Sequence, residues 1–193
     1  MSSPLASAIA NLCGTESFSR SAAASEIYHT GRSLAEEATG AWRSSSALAA
    51  LLGFDNPAVT VGLAVQPARF AQMREVNGSP RLAKVPPDQD AEEFELHFPD
   101  GVALDVLTTR EPGGAGAIAR YLSKFGEGIQ QVEYRCGDVD RAAAILKESF
   151  GIAAVYPETR PGADGTRINF FLVPTEERGK VLIELYEMPT TRR

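Results

Sequence analysis

Cysteine is nearly missing from this chain of 193 residues. Cys13 and Cys136 are too few to staple a fold, so a disulfide scaffold is excluded and a reduced chain is expected. No run of about 18 apolar residues occurs, so no membrane-spanning helix is expected. A basic block is also missing, and the net charge is -6. Without basic residues interleaved with aromatics, nucleic acid is not the expected partner. The apolar start carries neither a basic leader nor a long apolar stretch. No signal peptide is therefore expected, and the expected location is cytoplasmic. What is present is a 44% hydrophobic composition. That suffices for the core of one full-sized domain or two small modules.

The regular stretch runs from Phe125 to Glu187. Its first strand is expected over Ile129 to Cys136, with Gln131, Glu133 and Arg135 sharing one face and Val132 and Tyr134 the other. Asp138 is placed to cap a helix whose buried stripe is Val139, Ala142 or Ala143, Leu146 and Phe150, ended by Gly151. A short strand around Ala153 to Tyr156 comes next, then a turn-rich PETRPGADG. Two longer strands close the stretch, Arg167 to Val173 and Lys180 to Glu187, with a turn around Thr175 to Gly179. Arg167 and Asn169 share a face on the first, and Leu182, Glu184 and Tyr186 share one on the second. Together these polar groups line one curved surface, and burying so many without partners would be costly. A wet cleft or a ligand site is expected.

Earlier in the chain the signals are weaker. Residues 1–25 read as an N-terminal arm or a short docking helix. Glu26 to Ser33, with Tyr28, His29 and Thr30, reads as a strand. The following segment to Phe54 is helical in bulk, and Thr60 to Val65 is a strand candidate. Residues 66–90, rich in Pro, read as an irregular insertion: a lid, a dimer arm or a partly paired segment. Pro99-Asp100-Gly101 between two alternating runs predicts a hairpin. A helix over Ala117 to Phe125 links to the second half. The order of elements over 26–112 repeats over 113–193, which suggests a two-module α+β fold.

The segments AGAIARYLSKFGEGIQQV, PGADGTRINFFLVP and GKVLIELYE resemble the vicinal-oxygen-chelate (glyoxalase and bleomycin-resistance) superfamily, above all its methylmalonyl-CoA epimerase-like members. EIYHTGRSLAEEATGAW is similar to that family's opening strand and helix. The resemblance implies two βαβββ modules forming a curved mixed sheet around a central cleft. It also implies a homodimer and a divalent metal held by His29, Asp105, Gln131 and Glu184. Gln131 stands where the family commonly has a histidine. The implied set is therefore oxygen-rich and suited to Mg²⁺, Mn²⁺ or Co²⁺ more than to Zn²⁺.

Three function classes follow for a small-molecule substrate. The first is a metal-assisted epimerase or isomerase that abstracts a proton next to the carbonyl of an activated acid such as an acyl-CoA. Glu184 is its base, and Glu133 or Glu95 its second acid–base group. Arg135, Arg167 and Asn169 are the substrate-binding candidates, a guanidinium being a planar fork for carboxylate or phosphate. The second is a lyase or other enzyme of the same fold. The third is a binding protein that keeps the cleft without the metal.

Overall fold

A computed structural model describes residues 3–55, 57–175 and 179–189. The first elements are α1 (Pro4–Asn11), α2 (Ser17–Thr39), α3 (Ser46–Leu52), β1 (Val59–Ala64), α4 (Pro67–Val76), β2 (Glu92–His97) and β3 (Ala103–Thr108). There follow α5 (Ala117–Phe125), β4 (Gly128–Arg135), α6 (Val139–Phe150), β5 (Arg160–Pro161), β6 (Arg167–Thr175) and β7 (Gly179–Glu187). The class is α+β with mixed strand pairing, as expected. The chain divides into two compact units, Met1–Gly31 with Thr60–Gln130 and Arg32–Val59 with Gln131–Arg193.

In the first unit the strand order is β2-β3-β1, with β2 antiparallel and β1 parallel to β3. One face of this sheet is apolar: Val61, Leu63, Phe94, Leu96, Leu104 and Val106 are all buried. Phe70 and Met73 of α4 and Ile27 of α2 are buried as well, and the rings of Phe70 and Phe94 lie 4.8 Å apart. The hairpin between β2 and β3 turns at Asp100 (φ 60°) and Gly101 (φ 74°). Two successive positive φ values are what a two-residue turn needs to match strand twist, and Asp-Gly supplies them cheaply.

Two expectations fail here. Glu26 to Ser33 lies inside α2 and is helix, not strand. The buried residues Ala24, Ile27 and Tyr28, Gly31, Ala35 and Ala38 recur at steps of three and four. They are mostly small, so the stripe is faint in the sequence. A Cβ on Gly31 would lie 2.6 Å from both γ-carbons of Val61, so the helix sits against β1 at a distance only glycine allows. The second failure is in residues 66–90, which contain α4 rather than an irregular tract throughout. Residues 4–11 and 17–25 are also helical, and Ala8, Ile9 and Leu12 are buried.

In the second unit the order is β4-β7-β6-β5, with β4 parallel to β7 and the other pairs antiparallel. Val132, Tyr134, Phe171, Val173, Ile183 and Leu185 make the apolar face, and α6 adds Val139, Ala142 and Leu146. Asp138 caps α6 by accepting from the Arg141 N–H (2.9 Å), and Gly151 ends it in the left-handed region at φ 68°. Both were legible in the sequence. Trp42, Leu48 and Leu52 fill the helical part. The strand expected at Ala153 to Tyr156 is reduced to a bridge between Ala154 and Phe171. Of the turn expected around Thr175 to Gly179, residues 176–178 lie outside the described residues.

The two units repeat one pairing scheme. Each runs strand, helix, strands, and lays its first strand parallel to its last. The second unit has the full order β4-α6-β5-β6-β7. In the first, the Ala83 N–H donates to the Glu93 carbonyl of β2 (3.0 Å), at the position of β5.

Candidate functional site

Register decides which side chains of the second unit share a face. Glu133 pairs with Glu184, and Glu184 pairs with Phe170. One pleat away Leu182 pairs with Leu172, with Gln131 on the same face of β4; on the other side Arg135 pairs with Tyr186, and Tyr186 with Ile168. This face is therefore polar along β4, mixed along β7 and apolar along β6. Neighbouring strands lie about 4.8 Å apart, so the groups of one row are neighbours.

At its centre three polar residues are bound together. The Gln131 Nε2 donates to Glu133 Oε1 at 3.0 Å and to Glu184 Oε2 at 2.6 Å. All three are nearly closed off, with 7%, 8% and 9% of their surfaces exposed respectively. An amide nitrogen has two N–H groups, and both are spent on carboxylates. Bonds of this kind, to a charged acceptor, are short and strong. Arg135 lies one pleat further along β4, roughly 7 Å from Glu133, and is exposed. Beside it is a cavity of 500 Å³ lined by Leu51, Gly53, Ala58, Cys136 and Glu187 among others. Burial pushes the Cys136 thiol up to about 11, which keeps it neutral there.

Asn169 and Arg167 are not brought to this face. Asn169 pairs with Leu185, so its side chain is on the opposite side from Glu184. It is buried and clamps the chain edge: its Oδ1 accepts from the Tyr156 N–H (3.2 Å) and its Nδ2 donates to the Tyr156 carbonyl (3.1 Å). The amide thus does the work of a missing strand partner. Arg167 donates to Asp140 (2.5 Å) and Glu187 (3.1 Å) at the exposed end of α6. Thr159 and then Arg167 hold the Asp140 carboxyl below the usual range by hydrogen bonding.

In the first unit Asp105 pairs with Gly62 on one side and Glu95 on the other, and Asp105 is buried. Gly62 therefore corresponds to Glu133, and Thr60, two residues earlier and also buried, to Gln131. Thr60 escaped the sequence reading. The signal for it is the order strand-then-helix in VTVGLAVQPARF, the same order as in IQQVEYRCGDVD. Glu95 bonds His97 Nε2 (2.9 Å). His29 is exposed on α2, its ring edge-on to Tyr28, so the strand position expected for it does not exist.

A scan against protein-family models finds no match, and neither does a search of curated proteins. Solved structures do match. The methylmalonyl-CoA epimerase of Mycobacterium tuberculosis is 31% identical over 67% of this chain and 86% of its own, with a TM-score of 0.55. The chain belongs to the vicinal-oxygen-chelate superfamily. A variant of the Streptomyces coelicolor methylmalonyl-CoA epimerase in complex with 2-nitronate-propionyl-CoA is 25% identical, over 68% of this chain and 96% of its own, with a TM-score of 0.53. A hypothetical protein from Bacillus halodurans C-125 shares the fold at 23% identity, covering 69% of this chain and 95% of its own, with a TM-score of 0.55.

Superfamily membership raises the question of a divalent ion. The residues present do not fit one. Among the described residues no group of three or more His, Cys, Asp or Glu is arranged to hold a metal. The chain has two histidines, His29 and His97. The first is exposed on a helix and the second is bonded to Glu95. In the second unit Gln131 turns its nitrogen, which has no lone pair to give, toward both carboxylates.

Proposed function

We propose that this superfamily member is an epimerase or isomerase that moves a proton next to the carbonyl of a small activated acid, an acyl-CoA thioester being the favoured class. The observation that carries the reading is the buried Glu133–Gln131–Glu184 arrangement in the centre of a strand face. The similarity to methylmalonyl-CoA epimerases supports the substrate class. Glu184 takes the proton from the carbon beside the carbonyl, leaving an enolate. The proton then returns from Glu184, or from Glu133 once Glu184 has handed it across the pair. Buried surroundings suit this step, because a carboxylate short of water is a stronger base toward a weak carbon acid. Phe170, Leu172 and Leu182 give the acyl chain an apolar floor, and Arg135 offers its guanidinium to an anionic end of the substrate.

Mg²⁺, Mn²⁺ or Co²⁺ are the ions an oxygen-rich set would take, but Gln131 and Glu184 as they stand do not fit one. In this reading the protein is a homodimer, as the family resemblance implies, and sedimentation velocity checks it.

One observation favours isomerisation over epimerisation within this reading. Glu133 and Glu184 lie on the same face, side by side. A proton taken and returned by this pair alone stays on one side of the substrate. The experiment is incubation of methylmalonyl-CoA and related 2-substituted acyl-CoA esters in D₂O, followed by mass and chirality analysis. Deuterium at the carbon beside the carbonyl, lost in Glu184→Gln, is the expected result. Inversion with exchange selects the epimerase, and migration of the proton to a neighbouring carbon the isomerase. Folded protein that exchanges none of these esters would sink the reading.

A further inference from the structure

The carboxylate pair of the second unit is already held together without an ion. Gln131 Nε2 reaches Glu133 Oε1 at 3.0 Å and Glu184 Oε2 at 2.6 Å, so both carboxylates converge on one polar hydrogen-bearing atom. That is the place a cation bridging them would take. To act as a ligand, the amide would have to turn its oxygen inward, breaking both bonds in a setting where each carboxylate is more than nine-tenths buried. Neither histidine is on a strand of this unit, His29 being on α2 and His97 on β2.

We infer that Gln131 stands in for the divalent ion: its amide positions Glu133 and Glu184, and the pair does not load a metal. Gln131 is thus a positioning residue for Glu184. It holds Glu133 by Oε1 and Glu184 by Oε2. The inference rests on the proposed reading of the same site, yet its test needs no substrate, so the two can fail separately.

The test is titration of chelator-treated full chain with Mn²⁺ and Co²⁺, followed by calorimetry and by the visible absorption of Co²⁺. Wild type is compared with Gln131→His and Glu184→Gln, and circular dichroism melts establish that each is folded. The expected result is no saturable uptake by wild type below about 1 mM, and Co²⁺ binding at least about tenfold tighter in Gln131→His, with a ligand-field band, because an imidazole replaces the amide. Uptake of one ion per chain by wild type that Glu184→Gln abolishes would overturn the inference. So would a folded Gln131→His that binds no better than wild type, for then the amide is not what keeps the ion away. If Gln131→His does not fold, the wild-type and Glu184→Gln titrations decide alone.

Discussion

The two units lay out the same strands and fill them differently. In the first, the row across β1, β3 and β2 is Gly62, Asp105 and Glu95. In the second, the row across β4, β7 and β6 is Glu133, Glu184 and Phe170. The acid on the last strand is common to both. Its parallel neighbour is a glycine in one unit and a second acid in the other. Its antiparallel neighbour is an acid in one and an aromatic ring in the other. The scaffold therefore sets where a side chain points, and the residue at each pleat sets what it does. In the second unit an amide joins two carboxylates, with an apolar row beside them.

The sharpest way to break this comparison is to remove the common acid from each unit in turn. Glu184→Gln is expected to lower the rate of deuterium exchange by about 10²–10⁴-fold, the range for loss of a general base. Asp105→Asn is expected to cost less than about tenfold. Equal losses would mean that the first unit carries chemistry too.

The next effects are on stability. Gly31→Ala forces a carbon to within 2.6 Å of Val61 and is expected to cost about 1–3 kcal/mol, read from the urea midpoint. Gly151→Ala in the second unit meets nothing within 4 Å and pays only for its positive φ, about 1 kcal/mol. A larger loss at Gly151 would reverse that ranking.

Asn169→Ala leaves the Tyr156 backbone without its partners. An expected loss of about 1–3 kcal/mol, with KM unchanged, separates this clamp from the reactive face. A changed KM would return Asn169 to the substrate.

The smallest effect concerns pH. Asp140 has its carboxyl held low in the folded chain by Thr159 and Arg167. Its stabilising contribution is therefore present above the ordinary carboxylate range and is lost as pH falls through the lowered value. Thermal melts between neutral pH and about pH 3 should show a shallower acid limb for Asp140→Asn. Because Asp140 and Arg167 are both largely exposed, the difference is expected to be slight.

Much of the second unit was legible because its signals are local. The alternation in IQQVEYR, the Asp138 cap, the stripe of α6 and Gly151 each act within a few residues. The closing LIELYE motif marked Glu184, and GIQQV marked Gln131. The side that Asn169 faces is not legible in the sequence, because facing depends on pairing. A strand alternates with a period of two, so the register of β6 against β7, not the sequence of β6, fixes the side. His29 was misplaced for a related reason. Tyr28, His29 and Thr30 suit a strand locally, and nothing nearby reveals that Gly31 is needed against Val61, thirty positions further on.

The sequence by itself determined the α+β class, the hairpin at Asp100-Gly101, the elements of the second unit and the acids on the closing strands, since propensity, capping and period are written in neighbouring residues. The tertiary structure alone decided that α2 is helical through His29, that Phe170 rather than Asn169 stands beside Glu184, and that one amide joins Glu133 to Glu184. Each of these depends on residues far apart in the chain being packed or paired, and no local pattern encodes that pairing.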